Sequence, residues 1–195
     1  NPYFVINIMN KIGILDILFE KKVETKFFKK LLSIETKNSL TMSEILRFVS
    51  LAPNTKKNHL SDLKMFNFSK KDKKKLFLLT NQEFKIDNKL KKNDIKRILY
   101  SVDKQLLVDF AVLSWVLSIN NTLNKEWMSI LGQISKLKSP IFPLKANDLL
   151  NFGLKEGPII GEILTQIEQD WIDSNFELKK EELLLKSKAL IARKS

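Results

Sequence analysis

The chain has 195 residues, of which 44% are hydrophobic, and its 34 Lys and Arg against 22 Asp and Glu give a formal net charge of +12. This length allows one elongated domain or two small ones with a hydrophobic core. The absence of cysteine excludes disulfides and thiolate metal sites, and a single histidine, His59, cannot by itself form a metal site or a catalytic triad.

We interpret His59 as an ordinary residue of a helix surface. No apolar run approaches the roughly 18 residues that a membrane span needs, and no signal-peptide pattern is visible. We therefore expect a cytoplasmic protein without a membrane partner.

The spacing of apolar residues predicts helices along almost the whole chain, and no segment alternates as a strand does. The first helix should carry Phe4, Ile8 and Ile12 on one face and end at Gly13, because glycine readily adopts the left-handed C-cap conformation. A later helix stops before Pro53. The helices predicted in this part cover residues 2–11, 25–34, 43–51 and a segment that begins at residue 54.

In the middle of the chain, Ser69 is predicted to cap a helix, and Asp72 completes a capping box. Leu76 and Leu79 belong to the buried end of that helix, and a loop or a frayed helix follows over 81–92. The later elements predicted here are a helix over 94–100 and a helix hairpin formed by 105–119 and 125–137.

Four aromatic residues in this region could either pack in the core or stack on RNA bases. Trp115 and Trp127 lie on apolar faces and are predicted to be core residues, not platforms for base stacking. Phe66 and Phe68 flank a lysine-rich segment, as aromatic residues do in some single-strand binders. A buried helix junction is the preferred interpretation of this pair, and base stacking stays open.

The segment 140–184 is the most informative part of the sequence, since it holds three of the five prolines and three of the five glycines. A short helix should end near Gly153, which suits a left-handed cap, and Pro158 after Gly157 suits the first position of a new helix. Gly161 would allow another element to approach closely. The apolar face of this second helix is formed by Ile159, Ile160, Ile163, Leu164, Ile167 and Trp171.

This segment resembles the C-terminal region of the bacterial CCA-adding tRNA nucleotidyltransferases and of the related bacterial poly(A) polymerases. That region often reads F-P-x-x-G-x-D-L-L-x-x-G-[IL]-x-x-G-P-x-[IL]-G-x-[IL]-L before an acidic helix that ends in tryptophan. Ala146 stands where the family usually has glycine. Looser similarity extends over 8–15, 63–69 and 98–100. The matching residues are Phe142, Pro143, Asp148, Leu149, Leu150, Gly153, Leu154, Gly157, Pro158, Ile160, Gly161, Ile163, Leu164 and Trp171.

The resemblance implies an all-α fold, an elongated array of helix hairpins. The end of the family's neck would cover residues 1–35, the helical body 36–137 and the helical tail 138–195.

The family's catalysis resides in a head with an Asp-x-Asp metal pair, and no Asp-x-Asp occurs in this sequence. Asp170 and Asp173 have the nearest spacing and are expected to be solvated charges. None of Arg47, Arg97 and Arg193 follows an acidic pair, as the nucleotide-reading arginine of the family does. The resemblance therefore implies no catalytic residue, metal or cofactor in this chain, because Mg²⁺ and CTP or ATP would bind the missing head.

The positive charge is concentrated between residues 54 and 104, which hold 15 Lys and Arg against 6 Asp and Glu, whereas residues 105–195 hold 11 of each sign. Such a block attracts phosphate backbones, and Lys70, Lys71 and Lys73 are the RNA-binding candidates within it. The alternative is that lysine is frequent here because the composition, rich in Lys, Asn and Ile, is that of an AT-rich genome.

A second RNA contact is predicted at the start of the helix at Pro158, where unpaired N–H groups and the helix dipole favour a phosphate. Gly157 and Gly161 leave room there, and Lys145 and Lys155 add charge. Glu156 would repel a phosphate, so a plain helix hairpin is the alternative.

The function that the resemblance implies is the tRNA-binding half of a CCA-adding enzyme, with tRNA as a partner and a separately encoded head polypeptide as a second partner if the enzyme is split. The same half of a poly(A) polymerase and a catalytically inactive RNA-binding or scaffold protein are the alternatives.

Overall fold

A computed structural model describes residues 2–53, 66–84, 86–152 and 157–194 of the chain. Eleven helices and no strand occur among these residues, so the predicted all-α class is confirmed. Across the described ranges, none of the helices combines the length and the apolar character that crossing a bilayer demands. The helices are α1 Pro2–Lys11, α2 Ile14–Leu18, α3 Thr25–Lys37, α4 Glu44–Leu51, α5 Lys70–Thr80, α6 Lys92–Ser101, α7 Lys104–Leu117, α8 Lys125–Lys136, α9 Ala146–Leu150, α10 Pro158–Asp173 and α11 Lys180–Lys194.

Helix ends follow the local sequence at several positions. Gly13 has φ of +79°, the left-handed conformation predicted for it between α1 and α2. The Ser69 hydroxyl accepts a hydrogen bond from the Asp72 N–H at 3.1 Å and donates one to the Asp72 carboxylate at 2.6 Å, so the predicted cap of α5 is confirmed. The helix predicted to begin at residue 54, together with His59, lies outside the described residues, as does the cap predicted at Gly153.

The chain divides into two compact units. The first unit comprises residues 1–91 and 102–137, and the second comprises Lys92–Ser101 and Lys138–Ser195. The division into neck, body and tail that the family resemblance implies stays a prediction.

The core of the first unit is built around α7, which packs against α3, α4, α5 and α8. Nine of its residues are buried, as predicted for this apolar stretch. Trp115 and Trp127 stack with their ring centroids 6.2 Å apart, and the Trp115 indole N–H donates to the Asn121 carbonyl at 2.8 Å. Both tryptophans are therefore core residues of the α7–α8 hairpin, as the sequence predicts.

Phe66 and Phe68 belong to an aromatic junction within the first unit. The Phe48 ring contacts both of them edge-on, with centroids 4.9 and 5.1 Å away, and also packs against Phe19 at 4.9 Å. Phe66 and Phe68 are half-buried in this junction, which supports the preferred interpretation of the pair.

The core of the second unit lies on the predicted apolar face of α10. Ile163 and Ile167 are fully buried there, and Trp171 is 4% exposed. Tyr100 of α6 meets the Trp171 ring edge-on at 5.5 Å. The close approach predicted at Gly161 is wrong for the described residues, because a Cβ at this position would meet none of their atoms within 4 Å.

Candidate nucleic-acid interface

The predicted lysines of the first unit lie together on the first turn of α5. Lys70, Lys71 and Lys73 are exposed, and none of their ammonium groups has an ion-pair or hydrogen-bond partner among the described residues. The carboxylate of Asp72, which lies between them in sequence, is occupied by the Ser69 cap. The turn therefore carries a net charge of +2, from three exposed ammonium groups and the Asp72 carboxylate.

The position of these lysines has no local structural benefit. Cations near a helix N-terminus oppose the positive end of the helix dipole and lower the stability of the helix. Lys74 is exposed as well, whereas Lys75 is half-buried and its charge acts on the buried Asp109 carboxylate. The exposed lysines are thus available to an anionic partner, while Lys75 has a structural role.

The predicted lysines of the second unit have different surroundings. Lys145 is exposed and precedes α9, and its backbone N–H donates to the Asp148 carboxylate at 2.7 Å. The same carboxylate pairs with the Lys180 ammonium at 2.6 Å. Lys180 and this N–H hold the pKa of Asp148 below its ordinary value. Lys155 lies outside the described residues.

The two predicted glycines lie on the surface at the start of α10. Gly157 has an extended backbone with φ of 164°, so its conformation does not require glycine. At both Gly157 and Gly161, a Cβ would meet no described atom within 4 Å. Pro158 occupies the first turn, as predicted. This end of α10 is open at both glycines.

The two aspartates with the spacing nearest to a metal pair have surface partners. Asp170 forms an ion pair with Lys186 at 2.8 Å, and Asp173 accepts a hydrogen bond from the Gln169 amide at 3.0 Å. In the part of the chain that the structure describes, no three His, Cys, Asp or Glu side chains are grouped so that they could hold a metal ion.

Sequence reasoning overlooked the polar face of α3. The apolar residues of this helix predict its buried face, and they give no indication that the cations opposite them, including Lys29 and Lys37, line a groove. The signal was present, because polar residues recur at every third or fourth position from Lys26 to Lys37.

Comparison with known proteins gives a partial similarity. No protein-family model matches the chain. Over 55 residues, which are 28% of this chain, the sequence is 31% identical to the human protein named CCA tRNA nucleotidyltransferase 1, mitochondrial. The match covers 13% of the length of the human protein. Over that stretch, the chain is thus similar to a CCA-adding tRNA nucleotidyltransferase.

Proposed function

We propose that this chain is the tRNA-binding half of a CCA-adding tRNA nucleotidyltransferase, which positions tRNA while a catalytic head outside this chain adds C and A to the 3′ end. The observation that carries the proposal is the 31% identity over 55 residues to the human mitochondrial CCA tRNA nucleotidyltransferase. The motif over 140–171 also supports it, because its Pro, Gly and Asp residues follow the pattern of this family.

The all-α architecture and the charge distribution also support the proposal. An RNA phosphate backbone is attracted to exposed lysines, and Lys70, Lys71 and Lys73 provide such a group on α5. In the second unit, Lys145, Lys155, Gly157 and Gly161 would form a second contact, with a phosphate at the N-terminal end of α10. In this proposal Mg²⁺ and CTP or ATP bind the head, and a cytoplasmic location stays a prediction.

A nucleotidyl-transfer assay tests whether this chain binds tRNA while a separate head performs catalysis. The chain is incubated with CTP, ATP, Mg²⁺ and a tRNA that lacks its 3′ CCA, alone and with a head polypeptide from a CCA-adding enzyme. We expect no transfer by the chain alone and CCA addition with the head. Transfer by the chain alone contradicts the proposal. Binding of tRNA without transfer in the presence of the head favours a scaffold.

A salt titration tests the two lysine groups. We expect Lys70→Ala/Lys71→Ala/Lys73→Ala to weaken tRNA binding and to lower the salt slope by about one for each phosphate that these lysines neutralise in the parent chain. Lys145→Ala/Lys155→Ala should act in the same way through the second unit. Lys125→Ala/Lys136→Ala is the control, because both residues are exposed on α8. If the tail variant matches the control and the α5 variant does not, the segment around α10 is scaffold only.

A further inference from the structure

A basic groove lies between α1 and α3 within the first unit. It has a volume of about 460 Å³ and is lined by Pro2, Tyr3, Lys29, Leu32, Ser33, Thr36, Lys37 and Arg47. Three of these eight residues are cationic, and none is acidic. The groove contains none of the lysines that the sequence motif or the charge block indicates.

The polar groups of the groove form a row along α3. Lys29, Ser33, Thr36 and Lys37 occupy positions i, i+4, i+7 and i+8, which share one face of a helix. The hydroxyls of Ser33 and Thr36 have no hydrogen-bond partner among the described residues, although hydroxyls within helices commonly bond to a preceding carbonyl. The row therefore offers two hydroxyl donors between two ammonium groups.

Neither lysine of the row has an acidic partner among the described residues. The Lys29 ammonium lies 5.4 Å from the centre of the Tyr3 ring, and the Lys37 ammonium donates to the Thr122 hydroxyl at 3.1 Å, so both partners are neutral. Arg47 differs, because Glu35 accepts from its Nε at 3.0 Å and from its Nη2 at 2.7 Å. Lys30 also differs, since its ammonium donates to the Ser118 carbonyl at 2.6 Å and burial lowers its pKa.

We propose that this groove is a binding site for the phosphodiester backbone of RNA, with Lys29 and Lys37 each contacting a phosphate and the hydroxyls of Ser33 and Thr36 donating to phosphate or ribose oxygens between them. The choice of RNA as the polyanion rests on the proposed function. The site recognises the charge of the phosphates and the distance between them, and the proposed contacts do not distinguish one base from another.

The spacing of the two lysines favours a polymer over a single phosphate. Eight residues of α-helix correspond to a rise of about 12 Å between Lys29 and Lys37. One phosphate group cannot lie against both ends of such a row, whereas successive phosphates of a strand follow it. The half-buried Arg47–Glu35 pair at the base of the groove adds no net charge, so the attraction comes from the two lysines.

Affinity and salt dependence test the site. Lys29→Ala/Lys37→Ala should weaken binding to tRNA and to an oligouridylate of about 12 nucleotides by roughly 10- to 30-fold at about 0.1 M salt. The salt slope should fall by about 1.4 for the single-stranded oligouridylate and by about 2 for tRNA. Lys29→Arg/Lys37→Arg should retain most of the affinity. Lys125→Ala/Lys136→Ala removes the same number of charges from α8 and should change binding less than threefold.

A crosslink locates the RNA directly. The chain has no cysteine, so Thr36→Cys creates a unique attachment point for a photoactivated crosslinker in the groove. Ser129→Cys provides a matched exposed point on α8. We expect the label at residue 36 to crosslink to RNA, and we expect salt or the Lys29→Ala/Lys37→Ala changes to abolish this product. The label at residue 129 should give little product.

The outcomes separate this site from the proposed function. If Lys29→Ala/Lys37→Ala leaves tight tRNA binding unchanged and residue 36 gives no crosslink, the proposal that RNA binds in the groove is wrong. The proposed function is not affected by that result. If oligouridylate binds as well as tRNA and its binding depends on Lys29 and Lys37, the result supports RNA binding in the groove. The same result contradicts the proposed function. Absence of binding to either RNA overturns both. Both lysines of the pair are exposed, and equal thermal midpoints of variant and parent chains exclude unfolding as the cause.

Discussion

Asp109 shows how a single buried polar residue joins two helices of the first unit. It is 1% exposed on α7, and its carboxylate accepts hydrogen bonds from the Ser43 hydroxyl at 3.0 Å and the Gln105 amide at 3.1 Å. The Ser43 hydroxyl in turn accepts from the Leu46 N–H and caps α4. Burial raises the pKa of Asp109, and the two hydrogen bonds oppose that rise. The position of α4 on α7 therefore depends on this carboxylate.

Replacement of Asp109 distinguishes its hydrogen bonds from its charge. We expect Asp109→Ala to lower the free energy of unfolding by about 1–3 kcal/mol, because the Ser43 hydroxyl and the Gln105 amide lose their acceptor. Asp109→Asn keeps an acceptor and removes the buried charge, so it should be close to the parent chain at neutral pH. Urea unfolding followed by circular dichroism measures both differences.

The pH dependence provides the control. The folded pKa of Asp109 is raised, so its contribution to stability is present below the unfolded value of about 4 and is lost as pH rises through the folded value. The parent chain should therefore lose stability relative to Asp109→Asn as pH increases from about 4. A stability difference that does not change with pH contradicts the burial of an ionisable carboxylate.

Ser69 and Asp109 mark the limit of residue-scale prediction from the sequence. The Ser69 cap could be predicted, because its partner Asp72 is three residues away and the capping box is a local pattern. The bond between Asp109 and Ser43 spans 66 residues, and nothing in either segment indicates the other. Lys29 and Lys37 belong to the second case, since the groove that gives them a role forms only when α1 packs on α3.

At the scale of elements, α9 is held to α11 through one carboxylate. Asp148 accepts from the Lys145 N–H at the start of α9 and pairs with Lys180, the first residue of α11. Leu149 of α9 is fully buried in the core of the second unit. A helix of five residues has few internal hydrogen bonds, so these contacts determine whether it forms.

Asp148→Asn should weaken this connection. We expect a loss of up to about 1 kcal/mol at neutral pH, because a polar cap remains but the charge interaction with Lys180 is removed. The folded pKa of Asp148 is lowered, so its contribution is present above the unfolded value near 4 and is lost as pH falls through the folded value. The parent and Asp148→Asn chains should therefore converge in strongly acidic urea titrations.

Lys180→Ala is the matched change, since it removes the other partner of the same pair. The double variant should be no less stable than the worse of the two single variants, because the interaction can be removed only once. Additive losses from the two changes contradict a direct pair between Asp148 and Lys180.

The helices themselves are the most predictable elements. The α7–α8 hairpin could be located because its apolar spacing and its polar connection are properties of contiguous sequence. By contrast, the packing of α6 with residues 138–195 depends on contacts over long separations. One example is the hydrogen bond from the Tyr100 hydroxyl to the Glu168 carboxylate, 68 residues away. Helical periodicity indicates that α6 exists and gives no sign of which unit it joins.

At the scale of the whole molecule, each unit has a core made of its own residues. The apolar cluster of the second unit is formed by α9, α10, α11 and their flanking segments, together with Tyr100. Trp115 and Trp127 belong to the first unit, and Trp171 belongs to the second. The lysines proposed to contact RNA are likewise divided between the units, with Lys70, Lys71 and Lys73 in the first and Lys145 in the second.

Substitutions in the two cores should therefore act on separate groups of helices. Ile163→Ala removes a fully buried side chain from the second unit, and Leu107→Ala does so in the first, each at a cost of about 2–5 kcal/mol. Hydrogen exchange measured by mass spectrometry reports the local free energy of opening in each segment. We expect Ile163→Ala to accelerate exchange in α6, α10 and α11 and to leave α7 and α8 unchanged, and Leu107→Ala to do the reverse. Equal acceleration in all of these helices after either change contradicts two independent cores.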